Sequence, residues 1–172
     1  MGNKKEDLHY VAATGIIVKD EKYLITKRSL SKKAFPGKWT VPGGNLEKVD
    51  YINKPKDTSS HWYNVIETVL RREIMEEVGL EISNIGYLTS LSFINDGIDN
   101  IENIPMLVLS FYADYLKGDV KLNEESCDYK WVSLKEALEY DLIEGIYEEL
   151  VMLDKLLKEK KLIEWAKDLE RN

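Results

Sequence analysis

Cysteine, histidine and long apolar runs are all scarce in this chain, and each scarcity removes a class of protein. The 172 residues hold one cysteine, Cys127, so no internal disulfide framework is available. The two histidines, His9 and His61, are far apart and no His-Glu-x-x-His helix is present, which argues against a zinc hydrolase site. Each reads as a surface or packing residue. Apolar stretches such as Pro105 to Tyr112 fall far short of the ~20 residues a membrane helix needs. The N-terminal Met1-Gly2-Asn3-Lys4-Lys5-Glu6-Asp7 lacks the apolar centre of a signal peptide. Basic runs are missing as well: 24 Lys plus Arg face 31 Asp plus Glu, a formal charge of −7, which disfavours salt-driven nucleic-acid binding. These absences predict a cytoplasmic protein with no membrane partner and no strong case for a nucleic-acid partner. Its length and 44% hydrophobic content suit one domain spanning residues 1–172.

What is present alternates between strand and helix patterns. Tyr10 to Val18 and Tyr23 to Thr26 read as a hairpin around Lys19-Asp20-Glu21. Two prolines and three glycines between Phe35 and Gly44 forbid a helix there and predict a shaped loop beside a short strand. Tyr51 to Tyr63 shows neither period and reads as a loop. Asn64 is placed to cap a helix with Glu67 reaching back, and that helix runs to about Val78 and stops at Gly79. Gly86 to Ile94 and Ile104 to Tyr115 predict a long hairpin turning at Asp96-Gly97. A polar loop over Gly118 to Asp128, a short strand from Tyr129 to Val132 and a short helix from Leu134 to Glu139 follow. Leu142, Ile143, Ile146, Leu150, Leu153, Leu156 and Leu157 are spaced for one closing amphipathic helix.

The informative segment is Asn64 to Leu80. Its first two turns present Ile66, Val69 and Leu70 on one apolar face. Two turns further along the same stripe stand Glu73, Glu76 and Glu77. Ordinary solvated charges belong opposite an apolar stripe, whereas these continue it. Three carboxylates within a turn repel, and partial burial raises the cost unless protons or a cation neutralise them. A metal ion is the simplest answer, and hard carboxylate oxygens favour Mg²⁺ or Mn²⁺ over zinc. Arg72 is either a solvated charge or a partner that fixes the rotamer of Glu73; its spacing allows both.

These residues resemble the Nudix (MutT-like) hydrolases. The second half of that family's signature stands intact as Arg72-Glu73-Ile74-Met75-Glu76-Glu77-Val78-Gly79-Leu80, and the first half is recognisable as Gly43-Gly44-Asn45-Leu46-Glu47-Lys48-Val49-Asp50 after Trp39-Thr40-Val41-Pro42. The order of predicted elements agrees over nearly the whole chain. The resemblance implies an α/β (α+β) fold, an α/β/α sandwich with a mixed β-sheet between helices. Two departures stand out. Asp50 occupies the family's Glu position, where it either supports the metal or braces the loop, and a run from Tyr51 to Asn64 is inserted before the helix. The insert reads as a substrate-facing flap or, more simply, as a surface loop pinned to the sheet by the rings of Tyr51, His61, Trp62 and Tyr63.

The resemblance further implies metal-dependent hydrolysis of a diphosphate linkage in a nucleoside diphosphate joined to a group X. Glu73, Glu76 and Glu77, with the backbone of Gly44, would hold Mg²⁺ or Mn²⁺, and Arg72 would orient Glu73. The proton of water would go either to a signature glutamate or to the later loop, which offers Glu124 and Glu125, with Glu125 favoured. Lys27 and Arg28 end the second strand, where they would meet substrate phosphate or serve as edge charges. A nucleoside triphosphate is the favoured substrate, with sugar nucleotides and ADP-ribose as alternatives; Asn95 stands where ADP-ribose enzymes carry a proline. A non-catalytic nucleotide sensor would be expected to have lost signature acids, and this chain retains them. Removal of an RNA 5′ end group is disfavoured by the acidic balance. The closing helix is compatible with a monomer or a homodimer.

Overall fold

A computed structural model describes residues 8–96, 102–167 and 169. Among the described residues seven strands form one sheet: β1 (Tyr10–Lys19), β2 (Lys22–Arg28), β3 (Trp39–Thr40), β4 (Gly43–Asn45), β5 (Glu81–Asp96), β6 (Glu102–Lys117) and β7 (Ser126–Val132). The same residues hold four helices: α1 (Val49–Ile52), α2 (Val65–Val78), α3 (Leu134–Ala137) and α4 (Ile146–Glu159). The main path runs β3-β2-β1-β6-β5, with β4 on β1 and β7 on β2. β1 and β6 are parallel and the other pairs antiparallel, so the sheet is mixed as expected.

Strand alternation sends side chains to two cores. Ala13 and Ile17 of β1 and Leu24 of β2 pack with Leu70, Ile74 and Val78 of α2. Ile16, Tyr23 and Ile25 face the other way, against Leu150, Met152 and Leu153 of α4. This is the expected sandwich of helices on both faces of a mixed sheet. Among the described residues, no helix is long and apolar enough to cross a membrane.

Several boundaries differ from the sequence expectation. β5 begins at Glu81 rather than Gly86, because Asn84 adopts a left-handed conformation (φ 50°) at a register shift and is held by Asp114 across the hairpin. β7 begins at Ser126 rather than Tyr129, and the unforeseen α1 takes the first two residues of the insert, Tyr51 and Ile52, into a helix where a loop was expected. Leu142 and Ile143 lie outside the closing helix: Leu142 bridges Trp39, and the Ile143 N–H donates to the Trp39 carbonyl. Asn64 precedes α2 in a left-handed conformation and makes no side-chain cap; instead the Thr68 N–H and hydroxyl both donate to its carbonyl. The capping box expected with Glu67 is therefore absent, and one not foreseen occurs at α3, where Ser133 and Glu136 bond reciprocally. The expected turn at Gly97 lies outside the described residues.

Candidate active site

α2 carries its apolar residues against the sheet and its last two turns toward β4. Glu73 lies directly beneath Gly44: a Cβ at that position would overlap the glutamate carboxyl group, so only glycine permits this approach. The Gly43 N–H donates to Glu77 Oε2 at 3.0 Å. The helix then ends at Gly79 (φ 70°), which caps it from the left-handed region and turns the chain into β5.

Arg72 is the hub of the arrangement. Its Nη1 lies 2.9 Å from Glu73 Oε1 and 3.1 Å from Glu76 Oε2. Its Nε and Nη2 grip Asp50 at 2.8 and 3.2 Å, and Nη2 also donates to the Asn45 carbonyl. Asp50 is 8% exposed and accepts the Glu47 N–H at 2.8 Å, so it braces both the arginine and the approach loop. Burial opposes ionisation of Asp50, yet the bonds from Arg72 and Glu47 outweigh it and hold the carboxyl below its usual range. Burial likewise opposes the Arg72 charge, and Asp50, Glu73 and Glu76 outweigh it and raise the pKa. The shorter aspartate therefore serves the bracing role, with α1 carrying it toward α2.

The remaining acids are poorly compensated. Burial raises the Glu73 pKa, Arg72 opposes the rise, and Glu76 and Glu125 add to it. Burial pushes Glu77 up to about 8; the Gly43 N–H opposes this, while the charges of Glu125 and Glu73 reinforce it. Glu125 reaches this neighbourhood because its loop docks on the end of α2: Lys121 N donates to the Val78 carbonyl and Asn123 N to that of Glu77. Arg28 is close enough to lower the Glu77 pKa in part.

The structure thus brings together Gly44, Arg72, Glu73, Glu77, Glu125 and Arg28, with Glu76 tied in through Arg72. Lys27 is not part of this group: it lies on β2 opposite Trp39 and Asp128, and no ion pair joins it to the acids among the described residues. Convergence of Glu73, Glu76 and Glu77 on a single point is not seen either, and among the described residues no three acids, histidines or cysteines stand close enough to hold a metal ion. Their present partners give the reason. Glu76 is drawn outward by Arg72, Glu77 is taken by the Gly43 N–H, and like charges separate when uncompensated. The donor set nevertheless fits a hard divalent cation, since the half-buried carboxylates of Glu73 and Glu77 both lie against the Gly43-Gly44 backbone, in a cradle at Gly44 that a side chain would fill.

The insert is pinned by its rings, though to itself rather than to the sheet. Trp62 Nε1 donates to the Lys54 carbonyl at 2.9 Å, Tyr51 packs 5.3 Å from the Trp62 ring, and Lys56 lies over that ring. Lys32, which pairs with Glu125 at 3.0 Å, had no signal in the sequence. The bracing role of Asp50 was signalled only by its spacing after Gly44.

A family model described as NUDIX domain matches residues 9–152. Nucleoside triphosphatase NudI of Escherichia coli K12 is 32% identical over 133 residues, covering 74% of this chain and 84% of that protein. Among solved structures, a MutT NUDIX hydrolase from Burkholderia pseudomallei superposes with a TM-score of 0.63 at 21% identity, covering 84% of this chain and 98% of the other. The NUDIX domain of Shewanella oneidensis NrtR, solved with ADP ribose, superposes with a TM-score of 0.65 at 16% identity, covering 92% and 94%. At such identities these two structures establish the shared fold.

Proposed function

Because this chain belongs to the NUDIX family and is a hydrolase of phosphoanhydride bonds in nucleoside diphosphate derivatives, we propose that its substrate is a nucleoside triphosphate, cleaved to the monophosphate and pyrophosphate. The observation that carries the catalytic reading is the placement of Gly44-cradled Glu73 and of half-buried Glu77, bonded to the Gly43 N–H, beside Glu125. The triphosphate preference draws on the 32% identity to a nucleoside triphosphatase.

Glu73, Glu76 and Glu77, with the backbone at Gly44, would hold Mg²⁺ or Mn²⁺. When bound, such an ion screens phosphate charge and acidifies water. The chain's own residues do the rest. Asp50 fixes Arg72, and Arg72 fixes Glu73, so that acid is held before substrate arrives. Glu125 accepts the proton of the attacking water as oxygen adds to phosphorus and the anhydride P–O bond to pyrophosphate breaks. Arg28 offers its guanidinium to a substrate phosphate.

The test is release of phosphate and pyrophosphate from a panel of nucleoside triphosphates, sugar nucleotides, ADP-ribose and dinucleoside polyphosphates with Mg²⁺ or Mn²⁺. Pyrophosphate from one or more triphosphates, lost in Glu73→Gln and Glu77→Gln, is the expected result. Turnover of only a sugar nucleotide or ADP-ribose would overturn the triphosphate assignment and leave the hydrolase intact. Nucleotide binding without turnover would indicate a sensor.

A further inference from the structure

Glu125 does not face the acid cluster alone. Its carboxylate is paired with Lys32 at 3.0 Å, and the backbone delivers the lysine there. Ser29 N donates to the Glu125 carbonyl at 2.8 Å, and Lys32 N donates back to the Ser29 carbonyl at 3.1 Å, so one tight turn is tethered to the residue whose side chain it neutralises. Arg28 closes the base of this segment through its Nε, which donates to the Ala34 carbonyl at 2.7 Å, and through backbone bonds with Gly37 and Lys38. The cations beside the acids are unequally committed. Arg72 is shared among Asp50, Glu73 and Glu76. Lys32 has one carboxylate partner among the described residues, and the two side chains are 32% and 40% exposed. Such a pair is weak in water and exchanges readily.

We infer that Lys32 is a phosphate ligand held in reserve: it neutralises Glu125 while the cleft lacks a cation, and turns to a substrate phosphate once Glu125 is engaged by the cation or by the water it deprotonates. This rests on the hydrolase reading of the site. It predicts effects of opposite sign from one substitution. Without the ammonium group, Glu125 adds an uncompensated charge to the cluster and a cation binds more tightly, while the substrate loses a phosphate partner and binds more weakly. An ion pair that only staples two loops predicts neither.

The experiment compares wild type, Lys32→Gln and Lys32→Arg. Mn²⁺ affinity is read on substrate-free protein from the electron paramagnetic resonance signal of unbound Mn²⁺, and KM and kcat are read for the nucleotide that wild type turns over. Expected for Lys32→Gln are Mn²⁺ binding tighter by about 3- to 10-fold and a KM raised by about 10-fold, more than kcat falls, with Lys32→Arg returning both toward wild type. Thermal melts verify that each variant is folded. Unchanged or weaker Mn²⁺ binding in Lys32→Gln overturns the inference, as does an unchanged KM. If wild type binds Mn²⁺ and turns over a nucleotide but the variant moves neither constant, the role of Lys32 fails alone. If wild type does neither, the hydrolase reading fails and takes this inference with it.

Discussion

The two long helices, one on each face of the sheet, both carry glutamates on an otherwise apolar stripe, and the fate of those acids differs. On α2, Glu73 and Glu77 meet Arg72, the Gly43 N–H and the charges of Glu76 and Glu125. On α4, Glu149 is 1% exposed, bonds to Ser110, and leaves Oε2 without a partner; Ser110 in turn accepts from Thr14. Burial on an apolar stripe is common to both sites. What separates them is company: several acids and cations gather beside a glycine loop on one face, and two neighbouring acids, Glu148 and Glu149, are enclosed by core on the other.

The largest effect that would test this contrast is on turnover. Glu77→Gln should lower kcat by about 100-fold or more, since a lost metal ligand or misplaced water removes several kcal/mol of transition-state stabilisation. Glu149→Gln should leave hydrolysis within about 2-fold, because the proposed chemistry uses no group on that face. A collapse of activity in Glu149→Gln with an intact fold would erase the distinction.

Stability should respond in the other direction. Burial pushes Glu149 up to about 7, with Glu148 adding to the rise and Ser110 opposing it. A carboxyl whose folded pKa exceeds its unfolded value favours the fold fully below the unfolded pKa, near 4.5, and loses that contribution as pH rises through the folded value. Wild type should therefore lose stability between about pH 4.5 and 7, and Glu149→Gln should flatten that profile and gain on the order of 2 kcal/mol at pH 8. Urea melts at pH 5 and pH 8 measure this. Equal pH profiles in variant and wild type would mean that the acid is compensated in solution.

A smaller effect probes how the α2 acids are held. Asp50→Asn keeps the shape but weakens the charge-assisted grip on Arg72, and should lower kcat by about 10-fold, with Asp50→Glu recovering part of it. The split matters more than the size. If Arg72 is only a surface charge, Asp50→Asn will change stability slightly and leave kcat alone.

The acid stripe on α2 was legible because periodicity places Glu73, Glu76 and Glu77 where core belongs, and the neighbouring signature residues agree with the family that the chain joins. The same test passes through Glu149, which follows Ile146 by one step along the stripe to Leu153, so periodicity finds buried acids without separating a site from a cost. Strand alternation gave β1, β2 and β6 closely. It missed the start of β5, since a left-handed Asn84 interrupts the pattern there, and it ran Leu142 and Ile143 into a helix because their spacing also suits the bridge to Trp39. The brace of Asp50 on Arg72 and the pairing of Lys32 with Glu125 join residues distant in sequence, and local pattern carries no record of such partners. Arg28 and Lys27 were indistinguishable as neighbours on one strand; alternation and the register shift between them send only Arg28 toward the acids.

The helix ends complete the comparison with its smallest expected effect. Both helices finish in the left-handed region, α2 on Gly79 (φ 70°) and α4 on Lys160 (φ 57°), and in each the N–H of that residue donates to a carbonyl of the last turn. The conformation suits glycine and strains a side chain by about 1 kcal/mol. Part of that gain is offset because glycine has more freedom to lose on folding. Lys160→Gly should therefore raise stability by about 0.5 kcal/mol, whereas Gly79→Ala should lower it by about 1 kcal/mol or more, as a Cβ there also crowds Lys121 in the loop that carries Glu125. Chemical denaturation of the two variants separates the cases. A Gly79→Ala protein whose kcat falls further than its stability would tie the end of α2 to the placement of Glu125, while an α4 end that tolerates either residue would mark that face as scaffold.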